Sequence, residues 1–323
     1  ASGQLNVDTS PIILGNALAF DKSNRVALDH FEQDGDIAER SIEAWIKITD
    51  NGGDQRTILS YDRDEYFRFG VKNRKVMFYH HHDTGHNDAH QMTGNTIVAD
   101  GNWHHIAAVF DNGEAYIYVD GVLDKKEVDG TNIGANDLYN GLQAPLKRFG
   151  FIGWGSEAKV FNGETTNNTA FKGSIDELRY WSKALTVGEI NANMNKELSD
   201  VDDANLIWYI NFDEGINSSG TQVTTLPSGD NTTAPNDIDQ LVDLTNNIPQ
   251  TIFTGFDFTD GNSTSNFVEG PNVRKTYNYN WYVGPQDNLN VDQLSTSSAT
   301  SNNLEPGTYT VVAIDPDDNC RST

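Results

Sequence analysis

Ser41-Ile42-Glu43-Ala44-Trp45-Ile46 is the stretch that decides the fold. Ile42, Ala44 and Ile46 alternate with Glu43 and Trp45, the two-residue period of a β-strand. Trp45 on the second face means that neither face is surrendered to water, so the strand is expected to be covered on both sides. Working outward, segments of the same character recur at Ala17–Phe20, Arg56–Ser60, Tyr66–Val71, Lys75–His80 and His104–Phe110. Glu114–Val119, Phe149–Ile152 and Ser174–Trp181 continue the series. Turn formers such as Asn51-Gly52-Gly53, Asp111-Asn112-Gly113 and Asp120-Gly121 separate them. Many short strands at this spacing predict an antiparallel, all-β sandwich. One helix is expected over Glu189–Leu198, behind the capping box Thr186-Val187-Gly188-Glu189. Trp103 and His105 are read as flanking a strand whose Ile106, Ala107 and Val109 fill the core.

A further apolar strand is expected at Asn205–Phe212, followed by a polar excursion over residues 217–250 and a return to strand character at 251–269. Gly270-Pro271 marks a boundary, beyond which Tyr277–Val283 and Thr308–Ile314 are alternating strands. The organisation expected is a linker over residues 1–12, a sandwich over 13–269 and a small second domain over 271–323. A length of 323 residues suits two domains.

The chain carries 47 acidic against 22 basic residues, a net charge of −25. Such a field repels nucleic acid and favours divalent cations, whose hard charge seeks carboxylate and carbonyl oxygens. Cys320 is the only cysteine, so an internal disulfide is impossible. No apolar run reaches the roughly 18 residues of a membrane span, and Ala1–Ser10 lacks the pattern of a signal peptide. The chain therefore reads as an excised fragment or a processed product, with neighbouring domains of a larger chain among its partners.

The order of motifs carries a resemblance. Ala17-Leu18-Ala19-Phe20-Asp21, Ser41–Ile46, Gln55–Ser60, Gly101-Asn102-Trp103-His104-His105-Ile106-Ala107 and Tyr118-Val119-Asp120-Gly121 come first. Phe151-Ile152-Gly153 and Gly173–Trp181 follow, closing in Ala184-Leu185. Together they resemble the concanavalin A-like, laminin-G/pentraxin-type domain of bacterial surface proteins, which implies a jelly-roll sandwich. Residues 271–323, with Trp281, Leu304-Glu305-Pro306-Gly307-Thr308-Tyr309-Thr310-Val311 and Asn319-Cys320, resemble the Ig-like repeat of gliding-motility adhesins of Bacteroidetes. The function these resemblances imply is noncatalytic adhesion at the cell surface or in secreted form, binding an extracellular glycan or surface protein. A carbohydrate-targeting module of a polysaccharide-degrading enzyme and a structural spacer are the alternatives.

Catalysis is not expected. Glycosidases need two carboxylates flanking the scissile bond, and the related glucanases carry them on one strand as E-x-D-x-E or E-x-D-x-x-E. Glu39–Glu43 lacks the middle Asp. Calcium is the expected cofactor: the laminin-G resemblance implies a site near the domain edge. Asp21 and Asp176, on the first and last characteristic strands, are the expected ligands, with Asn24 and Gly173 adding oxygens. The competing reading is that Asp21 caps its own turn and Asp176 pairs with Arg179. Residues 80–90 hold five of the eight histidines. His82, His86 and His90 are candidates for ligand contact or a loose metal site, and Trp154 is a candidate platform for a sugar ring, the alternative being burial.

Overall fold

A computed structural model describes residues 3–6, 12–29, 38–49, 54–61, 67–81, 89–128, 149–155, 161, 169–198, 201, 203–213, 244–245, 251–254, 266–273, 278–283, 300–304, 309–314 and 321–322. The chain divides into two compact units, Leu14–Pro271 and a smaller one built from Ala1–Ile13 with Asn272–Thr323.

The larger unit is a sandwich of two antiparallel sheets. The first runs in the order β12 (Val122–Val128), β11 (Glu114–Val119), β10 (Trp103–Asp111), β5 (Glu39–Lys47), β14 (Lys172–Trp181), β3 (Asn16–Asp21), β17 (Phe267–Glu269). An eighth strand, β15 (Leu206–Ile210), pairs with the second half of β14, because β3 occupies only its first half. The second sheet runs β16 (Thr251–Thr254), β4 (Arg25–Leu28), β13 (Gly150–Ile152), β6 (Arg56–Tyr61), β7 (Phe67–Lys72), β8 (Lys75–His81), β9 (Ala89–Thr93). Ile42, Ala44 and Ile46 of β5 enter the core between the sheets, with Leu18, Phe69, Phe78, Ile106, Ile175 and Trp208. Full burial of each such aliphatic or aromatic side chain contributes about 1.5–3 kcal/mol.

Glu43 and Trp45 on the opposite face of β5 are buried as well. Helix α1 (Val187–Asn193) lies over that face, where Ile190 and Leu185 pack with Ala107, Val109, Trp181 and Tyr209. This corrects the expected facing of β10: Ile106, Ala108 and Phe110 meet the inter-sheet core, whereas Ala107 and Val109 meet the helix layer. Both faces are apolar, so alternation alone could not say which was inner. Thr186 caps α1 and the capping box forms as expected. The helix ends at Asn193, short of the expected Leu198, where a guanidinium from the sheet takes the Asn193 carbonyl and that of Lys196 beyond it (below).

The two sheets are clasped at their outer strands. Asp124 of β12 accepts from the Asn95 and Thr96 backbone amides at 2.6 and 2.9 Å, just past β9. His90 of β9 lies 2.9 Å from Glu127 of β12.

In the smaller unit β1 (Gly3–Asn6) pairs with β20 (Thr300–Leu304) and β2 (Ile12–Ile13) with β18 (Asn272–Val273). A three-stranded antiparallel sheet joins β19 (Asn278–Val283), β21 (Tyr309–Ile314) and β22 (Arg321–Ser322). Residues 1–12, expected as a linker, thus supply strand β1 and half of β2. Four residues of Gly-Gln-Leu-Asn are too few to show alternation, and their partner lies at the far end of the chain. Cys320 and Tyr277 lie outside the described residues.

Candidate functional site

Four segments bring their polar atoms together where the chain comes into and leaves the sandwich. Asp176 sits in β14 at a bulge, where the pairing with β5 shifts between Asp176 and Arg179. Glu177 there takes φ +51°, a left-handed conformation that costs a residue with a Cβ about 1–3 kcal/mol unless its surroundings enforce it. Asp213 follows β15, and Phe212 before it is also left-handed, at φ +56°. Both carboxylates are thus preceded or followed by a strained residue, and both are buried.

Glycines make the remaining room. Gly15 takes φ +40°, and a Cβ on it would overlap the Asp213 carboxylate. A Cβ on Gly270 would overlap the Leu14 carbonyl oxygen and stand 2.9 Å from Asp176 Oδ2 and 3.0 Å from the Gly15 oxygen. Three oxygens therefore converge on the cradle that Gly270 leaves empty of side chain. Asp213 is aimed from the other side: Oδ1 accepts from Asn16 N at 2.6 Å and Oδ2 from Asn211 Nδ2 at 2.8 Å. Asp176 Oδ1 accepts from Glu177 N at 2.9 Å, but its Oδ2 is buried without a hydrogen-bond donor. Burial first, and then the charges of Glu177 and Asp213, hold the Asp176 carboxyl well above the usual carboxylate range.

An oxygen-only set with excess negative charge and one orphaned buried oxygen fits a hard divalent cation. Calcium takes six to eight oxygens at about 2.3–2.6 Å, so Asp176, Asp213, a carbonyl from Leu14 or Gly15 and water would complete it. Transition metals are a poorer match. Among the described residues no three His, Cys, Asp or Glu side chains gather as metal ligands.

This set differs from the one expected. Asp176 belongs to it, but Asp21, Asn24 and Gly173 do not. Asp21 pairs with Lys172, and Gly173 with Phe20, at the opposite end of the β3–β14 ladder from Asp176. Four residues of strand separate Asp21 from the level of Asp176, about 13 Å. Asp21 Oδ1 accepts from Ser23 N and Ser23 Oγ at 2.8 and 2.6 Å, and Asn24 Oδ1 accepts from Asp21 N at 3.0 Å, which closes a local turn. Asp213 escaped the sequence reading. The signal for it was the acidic residue closing the apolar run Asn205–Phe212, directly after a strand partner of β14.

A second buried cluster lies on the helix side of the same sheet. Arg179 donates to Glu43 Oε1 at 3.4 Å and bonds Glu177, whose two oxygens also accept from Tyr209 Oη at 2.8 Å each. The same guanidinium donates to the carbonyls of Asn193 and Lys196 at 3.0 and 2.7 Å, at and just past the end of α1. Arg179 therefore pairs with Glu43 and Glu177, not with Asp176. Burial pushes Glu177 up to about 7 against the opposing pull of Arg179 and Tyr209. Burial would raise Glu43 too, but His105, Arg179 and Trp181 together bring it below the ordinary value. Split carboxyl pairs of this kind do acid–base work in glycosidases. Here both are buried beneath a helix with a guanidinium between them, so no substrate reaches them.

Trp154 is half-buried. The Arg25 guanidinium lies 5.3 Å from its ring centroid, and the ring packs with Phe149, Phe151, Phe161 and Ala27 on the outer face of the second sheet. Its indole N–H is buried without an acceptor. His90 is committed to Glu127 at the sheet clasp, and His82 and His86 lie outside the described residues. Of these four candidates, Trp154 and His90 are the two among the described residues.

Comparison with known proteins shows the family and the fold. The laminin-G family described as the concanavalin A-like lectin/glucanases superfamily matches residues 20–191. No curated protein matches the chain in sequence. Among solved structures, a protein of Bacteroides ovatus ATCC 8483, provisionally assigned as carbohydrate binding, superposes with TM-score 0.52 at 17% identity over 76% of this chain and 59% of its own. Mouse laminin α1 domains LG4-5 superpose with TM-score 0.39 at 16% identity, over 57% of this chain and 46% of theirs. A heptameric SAP-like pentraxin of Limulus polyphemus does so with TM-score 0.36 at 14% identity, over 54% and 83%. The chain thus spans less than two thirds of the length of the first two structures. Among the described residues no helix is long and apolar enough to cross a membrane.

Proposed function

We propose that this chain, which belongs to the concanavalin A-like lectin/glucanases superfamily, is a noncatalytic binding module that recognises a glycan or a glycosylated surface protein outside the cell. The observation that carries the noncatalytic reading is the Glu43–Arg179–Glu177 cluster, whose carboxyls are buried and neutralised in place. Fold alone does not decide function. The carbohydrate-binding assignment of the Bacteroides ovatus protein supports glycan as the ligand class. Trp154, with an indole N–H lacking an acceptor beside Arg25, is the described aromatic best suited to a sugar ring. The smaller unit, by its resemblance to Ig-like adhesin repeats, favours display within a larger cell-surface adhesin.

Calcium assists by stabilising the module. Asp176 and Asp213, with a carbonyl of Leu14 or Gly15, would hold it. The ion supplies positive charge that two buried like-charged carboxylates otherwise lack. A glycan array probed in calcium and in chelator tests the reading: binding of a defined glycan class, weakened by Trp154→Ala, is expected. Absence of binding to any glycan or surface protein, or turnover of a bound polysaccharide by the pure chain, would overturn it.

A further inference from the structure

We propose that the cation site is a force-bearing clamp on the two ends of the sandwich, so that calcium sets the load the module withstands. The proposal rests on the calcium reading above and concerns what the ion does there.

Loading geometry is the first ground. β3 begins at Asn16 and β17 ends at Glu269, and these two residues face each other in an antiparallel ladder. Tension that pulls Leu14 and Pro271 apart therefore opens the β3–β17 pair from this end, one rung at a time. Rungs loaded in sequence resist far less than rungs sheared together, since each bears the whole force alone. The pair has three rungs, Asn16–Glu269, Ala17–Val268 and Leu18–Phe267. Left to hydrogen bonds, the point where the chain meets the sandwich opens rung by rung.

Placement of the cradle is the second ground. Within the larger unit, two main-chain hydrogen bonds among the described residues stand ahead of the ladder, Leu14 N to Pro271 O at 3.0 Å and Gly270 N to Gly15 O at 3.2 Å. The carbonyls of Leu14 and Gly15 are the ones that converge with Asp176 Oδ2 around Gly270. An ion there would tie the incoming backbone to β14, a ten-residue strand paired on both sides in the middle of the sheet. Asp213, holding Asn16 N, ties the same segment to the end of β15. Peeling Leu14 away would then require breaking ion–oxygen contacts before the first rung is reached. The four left-handed or side-chain-free positions, Gly15, Glu177, Phe212 and Gly270, are spent on building this one junction.

Single-molecule force measurement on the whole chain tests this, with calcium ion as the probe. Load applied at the two chain ends reaches the sandwich through Leu14 and Pro271, and the length released, residues 14–271, separates its opening from that of the smaller unit. In calcium the sandwich should unfold at least tenfold more slowly at constant load than in chelator, equivalent to about 1.4 kcal/mol. A second geometry uses Asp54→Cys and Val122→Cys, both at exposed positions, with Cys320→Ser. There the calcium effect should shrink several-fold, because the junction is no longer first in line. Equal slowing in both geometries would reduce the ion to a general stabiliser and defeat the clamp. A calcium-dependent rise in melting temperature with no change under end-to-end load would do the same while leaving the cation site standing. If calcium changes neither, the site itself fails and the clamp with it.

Discussion

Gly270 stands where any side chain would collide with the Leu14 carbonyl and press to 2.9 Å from Asp176 Oδ2, so a missing side chain and a buried carboxylate define one cradle. Asp176 lies in the middle of a sheet and Gly270 at the margin of the unit. Their meeting is a product of the β14–β3–β17 order, in which β3 alone separates β14 from the strand that Gly270 follows.

Gly270→Ala should therefore destabilise the larger unit by about 1–3 kcal/mol, the usual range for a forced extra group. The obstructing atom is main-chain oxygen, which cannot swing aside. The variant should also lose most of its response to calcium. Urea unfolding in calcium and in chelator measures both effects.

Asp176→Asn separates charge from shape. Without calcium the amide removes a buried like charge facing Asp213 and Glu177, and it ends the burial of an orphaned carboxylate oxygen. The ion-free variant should equal or exceed the ion-free parent in stability. With calcium at a hundredfold excess over its dissociation constant, the parent should gain about 2.7 kcal/mol and the variant almost none. A calcium-dependent melting shift that survives unchanged in Asp176→Asn would exclude these oxygens as ligands.

Arg179→Met should cost about 3–5 kcal/mol, because it strands the buried carboxyls of Glu43 and Glu177 and uncaps the end of α1. The double variant Arg179→Met, Glu177→Gln should recover part of that loss, since one stranded charge is gone. Equilibrium unfolding of the single and double variants compares them. If the double variant is no more stable than the single, charge is not the cause.

His104 gives a pH dependence of definite sign. Asp120 Oδ2 lies 2.8 Å from its Nδ1 and Asp100 Oδ1 3.2 Å from its Nε2. The bond to Asp120, opposed by partial burial and helped by the Asp100 side, raises His104 above its ordinary value. A folded-state value above the unfolded one means that the protonated form favours folding. The contribution is full below about pH 6.5 while the carboxylates stay ionised, and it disappears as pH rises through the raised folded value. Both aspartates are partly exposed and screened, so the contribution is under about 1 kcal/mol. The stability difference between parent and His104→Gln should be largest near pH 6, vanish by about pH 9 and shrink in high salt. A difference that is flat across this range would remove charge from the account.

What the sequence determined by itself was local and periodic. Alternation in Ser41–Ile46 and its counterparts announced the strands, Thr186 and Glu189 announced the capped helix, and the motif order pointed to the sandwich, because strand period and cap chemistry are properties of neighbouring residues. It could not say which face of β10 was inner, since Ala107 and Val109 are as apolar as Ile106 and Ala108 and both faces are covered. Nor could it assemble the oxygen cradle around Gly270. Asp21 and Asp176 were paired on the sound ground that β3 and β14 are neighbours, yet the antiparallel register sets Lys172 opposite Asp21 and carries Asp176 to the far end of β3. There it meets Leu14, Asp213 and Gly270, which no spacing connects. Register, bulge and left-handed φ are decided only when strands far apart in the chain compete for the same hydrogen bonds, and the site is made of those three things.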